Sequence, residues 1–245
     1  MNYYKAIISY DGTDYQGWQS QKHGKTVQDV LTKTFKNTFF QPISISGASR
    51  TDAGVHAIGQ VIGLQTPLDI PSSRLKQILN ENLPASIIIK DLEHFQDVFN
   101  PRANVLEKIY QYDFSLEKLA PFEARYCLFF NKKIDIEKFY RLPEIFIGQH
   151  DFRSFCTGHD YDSTIKTIDD IIIYRLDDRF RIIFKGQSFL RYMIRRIVGA
   201  MLVVSASKKL DQIDLKKALD QKDPHQSLLT APPQGLTLMN IKYRE

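Results

Sequence analysis

The sequence predicts an α+β protein of two α/β domains, each built on a mainly antiparallel sheet with helices. Stretches of alternating hydrophobicity and stretches at helical spacing succeed one another along the whole chain. The links between neighbouring strand stretches are short, which favours antiparallel neighbours over parallel crossovers. After "FNPRAN" the scheme starts again, so the boundary is expected near residue 105, with domains over 1–104 and 105–245. With 245 residues, 43% of them hydrophobic, the chain has ample core material for both.

The elements follow in order. Residues 3–10 alternate, with Tyr4, Ala6, Ile8 and Tyr10 on one face, and "DGTDYQGW" ends that strand with turn formers. Thr26 is a fitting N-cap for a helix carrying Val27, Val30, Leu31, Thr34 and Phe35. Strands near 43–47 and 58–64 flank a glycine-bounded loop. "PSSRLKQILNENLP" reads as a helix between prolines, and "SIIIKDLEHF" as a strand. The second half is expected to contain a strand near 104–115, a helix after Asp135, the strands "IDDIIIYRL" and "RFRIIFKG", helices near 188–206 and 211–221, and a last strand near 236–243.

Lysines and arginines total 33 against 28 acids, a net charge of +5 that suits a polyanionic partner. The two cysteines, Cys127 and Cys156, form no C-x-x-C pair and accompany no clustered histidines, so neither a disulfide framework nor a zinc site is supported. The start "MNYYKAIISYDG" lacks the pattern of a signal peptide, and the apolar run "IVGAMLVVSA" is too short to span a bilayer. A soluble, cytoplasmic protein without membrane attachment is expected.

The loop "GASRTDAGVHA" carries the strongest chemistry. A carboxylate acts as nucleophile or base only while ionised, and burial works against ionisation unless a cation or hydrogen bonds favour the charge. Arg50, two residues from Asp52, is suited either to that task or to holding a phosphate. Gly47, Ala48, Ala53 and Gly54 would let backbone approach a bulky ligand. The competing reading is a turn capped by the Asp52 side chain. His56, four residues beyond Asp52, would share a metal with it only on a helix, which Gly54 and the flanking strands oppose. Asp11 and Asp14 in "DGTD" resemble paired carboxylates but are ordinary turn formers.

Two further stretches bear on function. "EKIYQYDFS" puts Tyr110 and Tyr112 on one strand face with Lys108, an arrangement that serves either base stacking or sheet packing. In "SFLRYMIRRIVGAMLVVS", Leu190, Met193, Ile194, Ile197, Met201 and Val204 share a helical face. Arg191 and Arg195 fall at one margin of it and Arg196 at the other. An arginine at such a margin either snorkels into solvent or reaches along the core edge to a buried acid.

The blocks "SYDGTDYQGWQ", "GASRTDAGVHAIGQV", "KIYQY", "GQHDFRSF", "FLRYMIRRIVG" and "TAPPQGL", in this order across nearly the whole chain, resemble the bacterial tRNA pseudouridine synthase A family. The resemblance implies an isomerase that converts uridine to pseudouridine on the 3′ side of the tRNA anticodon stem-loop, without cofactor or metal. It also implies an active cleft between the two domains and a homodimer whose subunits share one tRNA. Carried onto matching positions, it makes Asp52 the nucleophile and Tyr110 the ring that packs on the target base. Arg195 becomes the partner of the aspartate, and Arg50 the arginine that helps open the stack and contacts the RNA backbone. The chain has Ser49 where some relatives have glycine, a change that leaves this chemistry intact. On this reading the glycines around Asp52 make room for a flipped nucleotide. A silent RNA-binding module would need no acid in this loop, and a two-carboxylate hydrolase would need a partner acid that the sequence does not offer.

Overall fold

The computed structural model describes residues 1–158, 161–225 and 229–244. The chain runs β1 (Asn2–Tyr10), α1 (Val27–Phe39), β2 (Ser44–Gly47), β3 (His56–Thr66), α2 (Ser72–Asn82), β4 (Ile87–Phe95) and β5 (Val105–Ser115). It continues with α3 (Pro121–Ala124), β6 (Leu128–Phe129), α4 (Ile136–Arg141), β7 (Gly148–Asp151), β8 (Ile165–Ile168), β9 (Asp170–Arg175) and β10 (Phe180–Gly186). The last elements are α5 (Met193–Ala206), α6 (Gln212–Asp220) and β11 (Leu236–Tyr243). The fold is α+β with mainly antiparallel pairing. Among the described residues no helix is long and apolar enough to cross a membrane.

Two compact units result, residues 1–106 with 237–245, and residues 107–236. In the first, β1 lies antiparallel between β3 and β4, and β2 pairs antiparallel with β3. The alternation read from the sequence is the packing itself. Tyr4, Ala6, Ile8 and Tyr10 are buried, together with Val27, Leu31 and Phe35 of α1 and Leu75 and Leu79 of α2. Thr26 caps α1 as its chemistry predicts, its hydroxyl accepting from the Asp29 amide at 3.2 Å. Where β1 and β4 slip register between Ile7 and Ile8, the Asn80 side chain of α2 satisfies both backbone groups of Ile89, at 2.9 and 2.8 Å.

The last strand departs from the expected division. β11 was predicted within 105–245, yet it belongs to the first unit, where Thr237 and Leu238 pair parallel with His56 and Ala57.

In the second unit, β10 lies antiparallel between β5 and β9, and the short β6 runs parallel to β5. Phe114 and Phe180 stack at 5.1 Å, with Phe139 of α4 edge-on to Phe114 at 5.4 Å. β7 and β8 form a separate antiparallel pair that the sequence analysis did not find. Helix α5 starts later than predicted. Tyr192 has a left-handed φ of 62°, so the helix begins at Met193 rather than near 188, and Leu190 and Arg191 precede it.

Candidate active site

Residues 48–55 connect β2 to β3, and backbone groups of Ala48, Ser49, Thr51 and Gly54 tie this loop to the rest of the first unit. The Ala48 amide donates to the Val61 carbonyl at 2.9 Å. Gln60, fully buried on β3, uses its side-chain amide twice, accepting from the Ser49 N–H at 3.1 Å and donating to the Ser49 carbonyl at 2.7 Å. The Thr51 carbonyl accepts the Trp18 N–H at 3.1 Å, and its hydroxyl meets that of Tyr10 at 2.8 Å. Gly54 donates to the Tyr15 carbonyl, and the Val55 N–H closes a four-residue turn on the Asp52 carbonyl, both at 3.1 Å. Gly54, with φ of 77°, occupies the third position of that turn, which favours glycine. The turn reading is therefore right about the conformation, although the bond that closes it uses the backbone of Asp52.

This anchoring sorts the loop by exposure. Ser49, Thr51 and Val55 are buried, Arg50 and Ala53 are exposed, and Asp52 is half-buried. The only two charged residues of the loop, the exposed Arg50 and the half-buried Asp52, thus sit on a backbone with little freedom. Such restraint is what positioned chemistry requires. Arg102, itself exposed, donates from Nε to the Gly47 carbonyl at 3.1 Å and adds a second cation at the start of the loop.

Gly47, Gly17 and Gly12 serve packing. A Cβ on Gly47 would lie 2.5 Å from the Trp18 ring, one on Gly17 2.6 Å from the Thr51 carbonyl oxygen, and one on Gly12 2.0 Å from the Val55 carbonyl oxygen. They let segment 11–18 lie directly against the loop. Gly47 thus gives its room to the Trp18 ring. Trp18, Gln60 and Tyr10 were missed as supports. Gln60 was open to discovery as a polar residue inside an apolar strand.

His56 is buried and belongs to the same scaffold. Its Nδ1 lies 3.0 Å from the Gly12 amide and 3.2 Å from Asp11 Oδ1. These contacts exclude each other at one moment, because Nδ1 accepts from Gly12 when unprotonated and donates to Asp11 when protonated. Among the described residues no cluster of three or more metal-ligating side chains is found.

The other expected site residues lie in the second unit. Tyr110 and Tyr112 on β5 are buried, at 5% and 0% exposed, so neither is the exposed aromatic that the strand pattern allowed. Tyr112 donates its hydroxyl to the Pro232 carbonyl at 2.8 Å, and Gly235 admits its ring, since a Cβ there would come within 2.8 Å. Burial pushes the Tyr112 phenol far above its usual range, with the charge of Arg195 opposing, so it stays protonated. Tyr110 meets the Phe189 ring edge-on at 5.4 Å.

Consecutive arginines on α5 diverge. Arg195, buried, donates from Nε to the Ala231 carbonyl at 2.7 Å, and its guanidinium lies 4.9 Å from the centre of the Tyr192 ring. Arg196 turns to the Ser154 and Cys156 carbonyls, at 3.1 Å each. The opposite margins expected from helical spacing thus have separate partners. Arg191, which precedes the helix, is exposed with its guanidinium 5.2 Å from the Tyr192 ring.

Residues 6–102 and 144–244 match the family described as tRNA pseudouridine synthase. The chain is 36% identical over 239 residues to the tRNA pseudouridine synthase A of Thermoanaerobacter sp. (strain X514), covering 97% of this chain and 98% of that protein. It is also 36% identical to the protein of the same name from Thermosipho melanesiensis, over 245 residues, 99% of this chain and 100% of that one. The counterpart from Phytoplasma mali is 36% identical over 241 residues, 98% of each chain. With likeness of this extent running through both compact units, the chain belongs to the tRNA pseudouridine synthase family.

Proposed function

We propose that the chain converts uridine to pseudouridine in the anticodon stem-loop of tRNA, with Asp52 as the nucleophile. Family membership makes it an isomerase of tRNA uridine. The observation that carries the finer reading is the anchored loop, which holds its one carboxylate half-buried while backbone bonds immobilise the residues around it. The reaction breaks the N1–C1′ glycosidic bond, turns the uracil and joins C5 to C1′. A carboxylate suits it because it attacks an electrophilic carbon of the nucleotide, C1′ or C6, and later leaves. The proton lost from C5 is balanced by one gained at N1. Every atom of the product comes from the substrate, so the chemistry as written calls for no cofactor or metal.

The remaining residues take supporting roles in this reading. Arg195 pairs with Asp52 and keeps its carboxylate ionised. Arg50 contacts the RNA backbone beside the target. The target base is stacked inside a stem or loop and must be flipped out, and the Tyr110 ring replaces the stacking it loses. A ring as buried as Tyr110 is reached only by a base that enters the protein, which flipping accomplishes. The resemblance also carries a cytoplasmic homodimer sharing one tRNA, which the mass of the enzyme–tRNA complex tests.

The deciding experiment incubates purified protein with an unmodified tRNA transcript and with the same transcript lacking anticodon-arm uridines, followed by nucleoside analysis. Pseudouridine in the first and none in the second is expected. Release of free uracil, or no change in either, overturns the reading.

A further inference from the structure

We propose that the loop over residues 19–25 is a phosphate clamp for the RNA strand that carries the target uridine, with Lys22 and Lys25 as its contacts. The proposal rests on the reading of the Asp52 loop as the reacting site. Between Asp14 and Asp29 the sequence holds Lys22, His23 and Lys25 and no acid, and all three are exposed. Such a one-sided run often marks a mobile solvated loop, but this one is fastened at both ends to the scaffold of the Asp52 loop.

At its start, the Gln28 side-chain oxygen accepts from the Gln19 amide at 2.9 Å and from the Ser20 N–H at 2.8 Å. The same Gln28 amide donates to the Ile45 carbonyl of β2 at 2.8 Å. At its end, the Lys25 carbonyl accepts the Gln16 N–H at 2.8 Å. Gly24, with φ of 119°, passes so close to Gln16 that a Cβ would lie 1.8 Å from its side-chain oxygen. The Lys25 ammonium sits 4.9 Å above the Tyr15 ring, and the Tyr15 carbonyl is the one that holds Gly54 in the Asp52 turn. Lys25 is therefore connected to that turn through a single residue.

Arg102 is bound to the other end of the loop at Gly47, and Arg50 lies within it. Lys25, Arg50 and Arg102 thus belong to one scaffold, and Lys22 lies in the loop that is fastened to it. Fixed cations of one sign around a site that must receive a polyanion suit a phosphodiester backbone, and they contribute affinity without reading sequence.

The test measures binding of unmodified tRNA transcript as a function of salt for wild type, Lys22→Gln, Lys25→Met, the double variant and Lys25→Arg. Methionine keeps a long stem over Tyr15 while removing the charge, and arginine keeps both. Each lost phosphate contact should lower the slope of log K against log salt by about 0.7 to 0.9 and weaken binding about fivefold at physiological salt. The double variant should show both losses, and Lys25→Arg should retain the wild-type slope. An unchanged slope in the double variant overturns the clamp, as does a slope that falls equally in Lys25→Arg. Failure here is distinct from failure of the site reading, because Asp52→Asn tests that one through turnover with the salt slope intact.

Discussion

Gln60 grips Ser49 by both backbone groups, donating to its carbonyl at 2.7 Å and accepting from its amide at 3.1 Å, where neither residue has appreciable access to water. Gln60→Leu preserves the volume and strands both Ser49 groups, at a cost of about 1 to 3 kcal/mol for each buried group left unsatisfied. The loop would lose its fixed position, and turnover should fall about tenfold to a hundredfold. Thermal melting and single-turnover kinetics on the folded variant check this. A lower melting temperature with wild-type turnover would show that the grip serves stability alone.

Asp52→Asn and Asp52→Ala should abolish pseudouridine formation while fold and tRNA affinity remain, since the carboxylate forms the covalent bond and contributes little to backbone binding. If Asp52→Asn keeps more than about a hundredth of wild-type turnover, the loss expected for a mere helper group, nucleophilic catalysis by Asp52 is wrong.

Arg195 and Arg196 face different partners, so their leucine variants should fail differently. Arg196→Leu frees the Ser154 and Cys156 carbonyls and should chiefly lower the melting temperature, while Arg195→Leu should chiefly lower turnover per folded molecule. Equal turnover losses in the two at matched stability would sink the pairing of Arg195 with Asp52.

Tyr110→Phe keeps the edge-on contact with Phe189 and removes the hydroxyl. Tyr110→Ala removes the ring, and with it about 1 to 3 kcal/mol of stacking. Single-turnover rates at saturating enzyme separate the two roles. A near-normal Tyr110→Phe assigns stacking alone, a slow one assigns proton transfer as well, and a near-normal Tyr110→Ala removes the residue from the site.

Asp151, in the "GQHDFRSF" block, supplies a test by pH. Burial alone would push its carboxyl up, but the Thr164 hydroxyl at 2.6 Å, the Arg153 amide at 3.1 Å and the Lys222 ammonium at 3.5 Å outweigh that and hold it below its ordinary value of 3.8. A carboxylate depressed in the folded state adds stability above its unfolded pKa and loses it as pH falls through the folded one. Melting temperature should therefore drop below about pH 4 by less in Asp151→Asn than in wild type. Identical acid limbs in the two proteins would refute this.

The α+β class, the strand alternation of β1, the Thr26 cap and the opposed arginines of α5 were all determined locally, because period, capping and helical rotation depend on residues a few positions apart. The blocks carrying Asp52, Tyr110 and Arg195 were equally legible, as were the six ordered motifs of the family. Tertiary structure decided how those blocks are packed. That Gly47 lies against Trp18, and that Gln60 holds Ser49, depends on which segments lie side by side. The burial of Tyr110 and Tyr112 and the union of β11 with β3 have the same origin. The left-handed Tyr192 that delays α5 runs against its own residue type. Local periodicity cannot report such features, since each is a contact or a strain between residues whose separation along the chain says nothing of their distance in space.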